Sequence, residues 1–493
     1  MRCLLALALL GLAACKGDDA RPNVLLITMD TTRADYVSSI GDREGTTPSL
    51  DKLADEGVLF TRTQSTSATT PISHASILTG LNNYKHGVRV ISAKSGFKLP
   101  DDVPTLASVL EAREYRTAAI HSAFPVSATF GFQRGFEDFV SFDAKMRKKG
   151  DSEFEGWDTS THQRRSDETT DLVLEWLANP SSEPFFLWIH YWDPHDPIRV
   201  PPQHFLRKDL PRSARGIVNP ASDEFYAEEV RFMDLHIGRV FDALREKGLW
   251  KNTAVCVTSD HGQGLTDGRE LHGWHAHRVL YKQQIHVPLI LKLPGVAGGK
   301  RVDSLTRTID VFPTLLEYLD IGAPGPVEGT SLLPLIEGRP DEPRIAYADQ
   351  INGYDTNAQM IEKRPKADFL YCVMDDDWKL IYRPTRPEQS ELFHTQEDPL
   401  ETTNLWDVAI DQRKRLLTEL ALRDGWVDRP FPDSGEAMSD EAMSALGGLG
   451  YTAAGDLSGA TWAWRCIECD SVQNERGECH ACDGLTVLVA TKL

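Results

Sequence analysis

Three things are scarce in this sequence. The first is long apolar runs. Outside a short stretch at residues 4–14, none approaches the ~20 residues that span a bilayer, which excludes a multi-spanning membrane protein. The second is positive charge: 53 Lys and Arg face 73 Asp and Glu, a formal net charge of −20. A surface that acidic repels nucleic-acid phosphates, so no nucleic-acid partner is expected. The third is cysteine. Eight in 493 residues are too few for a disulfide scaffold, and half of them crowd into residues 466–482. What remains is ordinary globular material, 41% hydrophobic and 26% charged. Its length is worth roughly three domains and is ample for a large buried core.

The N-terminus reads as an address. Met1 and Arg2 precede the apolar residues 4–14, the charged and apolar regions of a secretory signal. The run ends Leu12-Ala13-Ala14-Cys15, which resembles the bacterial lipoprotein cleavage box. That resemblance implies a mature chain beginning at an acylated Cys15, tethered outside the cytoplasm at the periplasmic or outer-membrane face of the envelope. An ordinary cleaved signal with an incidental Cys15 is the rival reading.

Strand and helix patterns then alternate. Residues 23–29, 185–190, 253–258 and 287–292 are continuous apolar runs, as expected of strands buried on both faces. Residues 47–57 read as a helix with Pro48 inside its start and Gly57 past its end. Residues 222–247 read as a long helix with Tyr226, Val230, Met233, Ile237, Phe241 and Leu244 on one face and Gly248 as its stop. The fold class is therefore α/β, a mostly parallel sheet flanked by helices, with the active site beyond the carboxyl ends of the strands. The expected organisation is a signal at 1–15, a catalytic domain at 22–343, a small α+β subdomain at 344–424, a linker at 425–460 and a four-cysteine module at 461–493. Within the subdomain, 369–374 and 378–382 flank Asp375-Asp376-Asp377 and predict a hairpin.

Each buried strand ends in residues that carry chemistry. The first ends in Asp30, followed by Thr31-Thr32-Arg33. The second ends in His190, followed by Asp193-Pro194-His195. The third ends in Ser259-Asp260-His261-Gly262. Carboxylates and imidazoles converging from strand ends suit a divalent metal. A single Asp in such a place is as well explained as a turn cap; three strands doing so together are not.

Further motifs lie in order along the chain: Thr47-Pro48 with Leu53-Ala54 and Gly57; Ser73-His74-Ala75-Ser76-Ile77-Leu78-Thr79-Gly80; Val287-Pro288-Leu289-Ile290; and Asp398-Pro399 with Asn404-Leu405. With the strand-end motifs, they make the chain resemble the sulfatase family of the alkaline phosphatase superfamily, from residue 22 to about residue 405. The resemblance implies an alkaline-phosphatase-like fold and a metal-dependent hydrolase of sulfate or phosphate esters acting on an anionic substrate.

One departure stands out. The family carries Cys or Ser, then x-Pro-x-Arg, at the start of the helix that ends Leu-Thr-Gly, and converts that Cys or Ser to formylglycine. Counting back from Leu78-Thr79-Gly80 puts Thr70 there, with His74 at the Arg. Thr yields no formylglycine. Phosphodiesterase and transferase relatives use Thr directly, so the resemblance implies Thr70 as nucleophile and Asp30, Thr70, Asp260 and His261 as metal ligands. Thr69 takes the role if the register slips by one. Thr31 and His261 replace oxygen ligands of the calcium-binding members, which moves preference toward zinc or manganese. Asp193, His195, His272, His275 and His277 supply ligand types for a second metal. The resemblance further gives His195 and His277 catalytic roles on the transferred group or leaving oxygen. It offers His272, His74 and Arg33 as contacts to the substrate anion. Arg33 is equally well read as one half of a salt bridge. A phospho-group transferase acting on envelope components and a non-catalytic binding protein on the same scaffold are the rival functions.

The tail holds Cys466-x-x-Cys469 and Cys479-x-x-Cys482. That spacing suits a structural zinc in a ribbon-like module. Two disulfides are the alternative in an oxidising compartment.

Overall fold

The computed structural model describes residues 21–91, 96–140, 163–179, 181–195, 201–210, 222–273, 277–351, 369–423, 438–439, 442–443, 446 and 461–492. The expected signal with Cys15, His275 and nearly all of the expected linker lie outside the described residues.

Eight strands form the central sheet: β1 Asn23–Met29, β2 Val58–Gln64, β3 Arg116–His121, β4 Asp138–Val140, β5 Phe185–Tyr191, β6 Thr253–Ser259, β7 His286–Lys292 and β8 Lys300–Arg307. Their order is β4-β3-β5-β1-β6-β7-β2-β8. β1 lies at the centre, parallel to both β5 and β6. β7 runs antiparallel to both of its neighbours; the other pairs are parallel.

The strand period of two explains the continuous apolar runs. Val24 and Leu26 of β1 enter one apolar cluster, while Leu25, Ile27 and Met29 enter another on the opposite face. Helices α1 Pro48–Glu56, α2 Thr70–Thr79, α3 Ser166–Leu177, α4 Asp223–Glu246 and α5 Val311–Tyr318 cover the sheet. α2 and α5 share the first cluster, and α1, α3 and α4 the second. The doubly covered α/β fold is as the sequence leads one to expect.

Local chemistry sets the helix ends. The Ser222 side chain accepts from the Phe225 N–H to start α4, and Gly248 follows its end with φ of 72°. α1 is started from a distance. No side-chain cap comes from Thr47; instead Asp234 of α4 accepts the Ser49 and Leu50 N–H groups, both at 2.9 Å. Gly57 closes α1 where a Cβ would sit 2.5 Å from the Leu291 carbonyl oxygen, so the helix turns directly onto β7.

A second, antiparallel sheet consists of β9 Ala346–Gln350, β10 Leu370–Met374, β11 Trp378–Tyr382 and β12 Glu391–His394, ordered β12-β11-β10-β9. The expected hairpin is β10–β11, and the Asp375 side chain accepts the Trp378 N–H to tighten its turn. Helix α6 Ile410–Leu422 lays Leu416, Leu417 and Leu420 on this sheet. A third sheet, β13 Thr461–Cys466, β14 Val472–Gln473 and β15 Thr486–Lys492, is ordered β14-β13-β15. Among the described residues, no helix is long and apolar enough to cross a membrane.

The cap that α4 lends to α1 is testable. Asp234→Ala is expected to lower stability by about 1–2 kcal/mol in chemical denaturation. Asp234→Asn, which keeps one acceptor oxygen, should lose less. Equal stability of Asp234→Ala and the parent would refute the capping role.

Candidate active site

The carboxyl ends of β1 and β6 lie side by side, because Met29 and Ser259 are register partners. The next residues on each strand are Asp30 and Asp260, both fully buried. Together with His261 they bring ligand atoms within 4.8 Å of one another. The N-terminus of α2 meets this cluster: Thr70 Oγ1 lies 3.3 Å from His261 Nε2. The neighbouring Thr69 turns its hydroxyl to Gln350 instead.

Hydrogen bonds orient each member. His261 Nδ1 donates to the Gly262 carbonyl at 2.9 Å, which leaves the Nε2 lone pair facing Thr70 and Asp260 Oδ2. Asp260 Oδ1 accepts the Thr31 and His261 N–H groups. His190 Nε2 donates to Asp30 Oδ2 at 3.2 Å. The turn after β1 is strained: Thr31 has φ of 47°, unusual for a β-branched residue. Tyr226 of α4 holds it, donating its hydroxyl to the Thr31 carbonyl at 2.6 Å and accepting the Arg33 N–H at 3.0 Å. Ser259 Oγ links the same turn to β6, accepting from the Thr32 N–H.

Electrostatics mark the cluster as built for a cation. Burial, reinforced by the neighbouring Asp30 charge, pushes the Asp260 carboxyl well above the usual carboxylate range. Asp260 Oδ2 and Thr31 Oγ1 are buried and accept no hydrogen bond from the protein. Burial lowers His261 to about 3, so its imidazole is neutral and its lone pair available. Two carboxylates, a neutral imidazole and a hydroxyl around orphaned buried oxygens fit a divalent metal.

A row of imidazoles extends outward. His277 packs 5.0 Å from His261 between ring centroids, and His195 lies 5.1 Å from His277 while stacking on Trp192 at 3.9 Å. His277 Nδ1 bonds the Ala68 carbonyl.

Other expected residues lie elsewhere. Arg33 does not present its guanidinium to an anion: Asp35 and Asp267 both grip it at 2.6–2.9 Å, the partners that a buried Arg requires. His74 is fully buried and joins a chain of bonds from Trp188 through Thr28 to the Thr70 carbonyl; burial lowers it to about 4, so it is a neutral brace behind the first turn of α2. His272 stacks on Tyr281 at 3.8 Å. Asp193 accepts from the Ser166 N–H and hydroxyl at the start of α3. Among the described residues, ligand-type side chains converge in only two groups, this cluster and the four tail cysteines.

Sequence reasoning missed the residues that fix the turn before Thr70. Gln350, on β9 of the second sheet, accepts from Ser67 Oγ, the Ala68 N–H and Thr69 Oγ1 at 3.0–3.3 Å. Asp349 donates its N–H to the Thr66 carbonyl. The small sheet thus braces the turn that the large sheet's helix begins.

A sulfatase family model matches residues 22–321, and a model for the C-terminal region of N-sulphoglucosamine sulphohydrolase matches residues 270–423. The chain belongs to the sulfatase family. It is 27% identical to an arylsulfatase of Clostridium perfringens, across 83% of this chain and 96% of that protein. It is also 27% identical to the multifunctional alkaline phosphatase superfamily protein PehA of Trinickia caryophylli, across 78% and 91%. Its fold matches the phosphonate monoester hydrolase of Agrobacterium radiobacter with a TM-score of 0.62 at 21% identity, covering 81% of this chain and 94% of the other. The protein is thus a sulfatase-like ester hydrolase of a family that uses a divalent metal, and the family's reaction is hydrolysis of sulfate or phosphate esters.

The brace on the strained turn generates a prediction. Tyr226→Phe leaves a buried N–H and a buried carbonyl unpaired and should cost about 1–3 kcal/mol. Tyr36→Phe, at the ring stacked edge-on against Tyr226 at 4.6 Å, should cost less because its hydroxyl bonds only the part-buried Arg43. Thermal denaturation of both variants checks this. Equal losses would remove the special role of Tyr226.

Proposed function

We propose that the protein hydrolyses sulfate or phosphate esters with the hydroxyl of Thr70 as nucleophile, in place of formylglycine. The observation that carries this reading is the approach of Thr70 Oγ1 to His261 Nε2 beside two buried carboxylates. Asp30, Thr70, Asp260 and His261 would hold the divalent cation, and the imidazole among oxygen donors favours zinc or manganese over calcium. Bound there, a divalent cation lowers the pKa of the Thr70 hydroxyl and attracts the ester's anionic oxygens.

Thr70 Oγ1 loses its proton to solvent and attacks sulfur or phosphorus in line with the leaving oxygen. The bond from Oγ1 forms as the bond to the leaving alcohol breaks. His277 or His195 delivers a proton to that oxygen as the leaving alcohol departs. Water then attacks the Thr70 ester and its proton returns to the same imidazole. Sulfate or phosphate departs and Oγ1 is restored. The N-terminus of α2 faces the transferred group, where the helix dipole favours negative charge. His74 and Gln350 contribute by position, holding the Thr70 carbonyl and the 66–69 turn.

We also read the chain as anchored by lipid at Cys15 outside the cytoplasm, on the strength of Leu12-Ala13-Ala14-Cys15.

Two measurements test these readings. On a panel of aryl sulfate, phosphate monoester, phosphodiester and phosphonate ester, Thr70→Ala should lower kcat/KM by about 10³-fold or more. Rapid quenching of the parent should leave a sulfo or phospho group on the peptide carrying Thr70. Undiminished turnover by Thr70→Ala would sink the nucleophile assignment. Metabolic labelling with palmitate should mark the full chain and be lost in Cys15→Ser; equal labelling of both would exclude Cys15 as the anchor.

A further inference from the structure

The four tail cysteines occur as two copies of one local structure. In the first, Cys466-Ile467-Glu468-Cys469-Asp470, the Glu468 N–H donates to Cys466 Sγ at 3.3 Å, the Asp470 N–H to the Cys466 carbonyl at 3.2 Å, and the Cys466 N–H to the Ser471 carbonyl at 2.8 Å. In the second, Cys479-His480-Ala481-Cys482-Asp483, the corresponding bonds are Ala481 N–H to Cys479 Sγ at 3.3 Å, Asp483 N–H to the Cys479 carbonyl at 2.9 Å, and Cys479 N–H to the Gly484 carbonyl at 2.7 Å. Asp470 and Asp483 share the left-handed conformation, φ 59° and 60°. Two turns this alike, facing one another, aim their sulfurs at a common point.

The sulfur geometry distinguishes a metal site from disulfides. All four Sγ atoms lie within 4.8 Å of one another, and none is joined to another in a disulfide. The close pairs are Cys466–Cys482 at 3.5 Å and Cys469–Cys479 at 3.6 Å, each joining one turn to the other. A tetrahedron with metal–sulfur bonds of about 2.3 Å has edges of about 3.8 Å. Ser471 Oγ lies 3.1 Å from Cys469 Sγ and 2.9 Å from Cys479 Sγ, so a hydroxyl as well as the backbone contacts the sulfurs. Gly484 is needed at its place: a Cβ there would sit 3.0 Å from Cys466 Sγ.

The site is also a fastener. Ile467, Val487 and Leu488 share one apolar cluster with Tyr371, Val373 and Leu380 of the second sheet and with Leu416 and Leu420 of α6. Tyr382 donates its hydroxyl to the Leu488 carbonyl at 2.7 Å, and Lys414 pairs with Glu468 at 2.6 Å. A three-stranded sheet this small needs a staple to hold its shape.

We propose that Cys466, Cys469, Cys479 and Cys482 bind one zinc ion as thiolates, independently of the active-site cation, and that this zinc holds the C-terminal sheet in the form that docks on the second sheet. Binding releases the thiol protons and needs no oxidant. Four soft sulfur ligands select zinc over the hard cations that oxygen donors accept.

The test uses the purified full chain. Titrating its thiols with an organomercurial should release one equivalent of zinc to a chromogenic chelator as the four sulfurs react. Protein grown with cobalt should show sulfur-to-cobalt charge-transfer absorption, which Asp260→Asn keeps and Cys469→Ser or Cys482→Ser loses. These two cysteines are the exposed members, so their substitution disturbs packing least. Peptide mapping that recovers two disulfides without zinc, or zinc content unchanged in both Cys variants, would overturn the proposal. The titration needs no variant to fold, and none of these readouts depends on whether Thr70 is the nucleophile.

Discussion

Asp30 and Asp260 sit side by side at the ends of adjacent parallel strands, both beyond the reach of solvent. Two carboxylates in a dry interior repel each other and lose their hydration, a cost that a bound cation offsets and that otherwise falls on protonating one of them. The surrounding structure is organised around that constraint. His190 fixes one oxygen of Asp30, and two N–H groups fix Oδ1 of Asp260. The neutral His261 turns its lone pair to the same place because its other nitrogen is held by the Gly262 carbonyl. The strained Thr31 belongs to this arrangement, since it donates one of the N–H groups to Asp260.

Around the charged centre lie neutral braces. His74 is kept uncharged by burial and carries hydrogen bonds from the sheet to the first turn of α2. A charged residue there would add to the cost of the site, whereas a neutral imidazole adds rigidity alone. Arg33, the nearest fixed cation on the β1 turn, is neutralised by Asp35 and Asp267 and serves to tie the turn to residues beyond β6.

Much of this was legible in the sequence where burial was two-sided. β1, β5 and β6 read as unbroken apolar runs, and the polar residue that ended each run marked the site. α4 announced itself by its stripe, and Asp30, Thr70, Asp260 and His261 meet in space. β8 was not legible: Lys-Arg-Val-Asp-Ser-Leu-Thr-Arg lies at the sheet edge with its first half largely exposed, so it carries no apolar run. Strands β9, Ala-Tyr-Ala-Asp-Gln, and β12, Glu-Leu-Phe-His, mix polar residues with their few apolar ones and form no continuous apolar run. Arg33 left an anion contact and a salt bridge equally open, and local sequence could not decide between them because its partner Asp267 lies 234 positions away. Tyr226 was visible as part of a helix face, yet nothing local signals a bond to the Thr31 carbonyl across 195 positions.

The brace between Gln350 and the turn before Thr70 joins distant parts of the chain. Thr69 and Gln350 are 281 positions apart. Such a contact closes late, because the loop entropy must be overcome before the contact rewards it. A ribosome that has delivered the whole eight-stranded sheet has still not delivered β9. The residues that hold the 66–69 turn thus come from a later part of the chain than any strand of the large sheet. The 66–69 turn therefore gains its full set of hydrogen bonds only once the chain extends past β9, which lies outside the eight-stranded sheet.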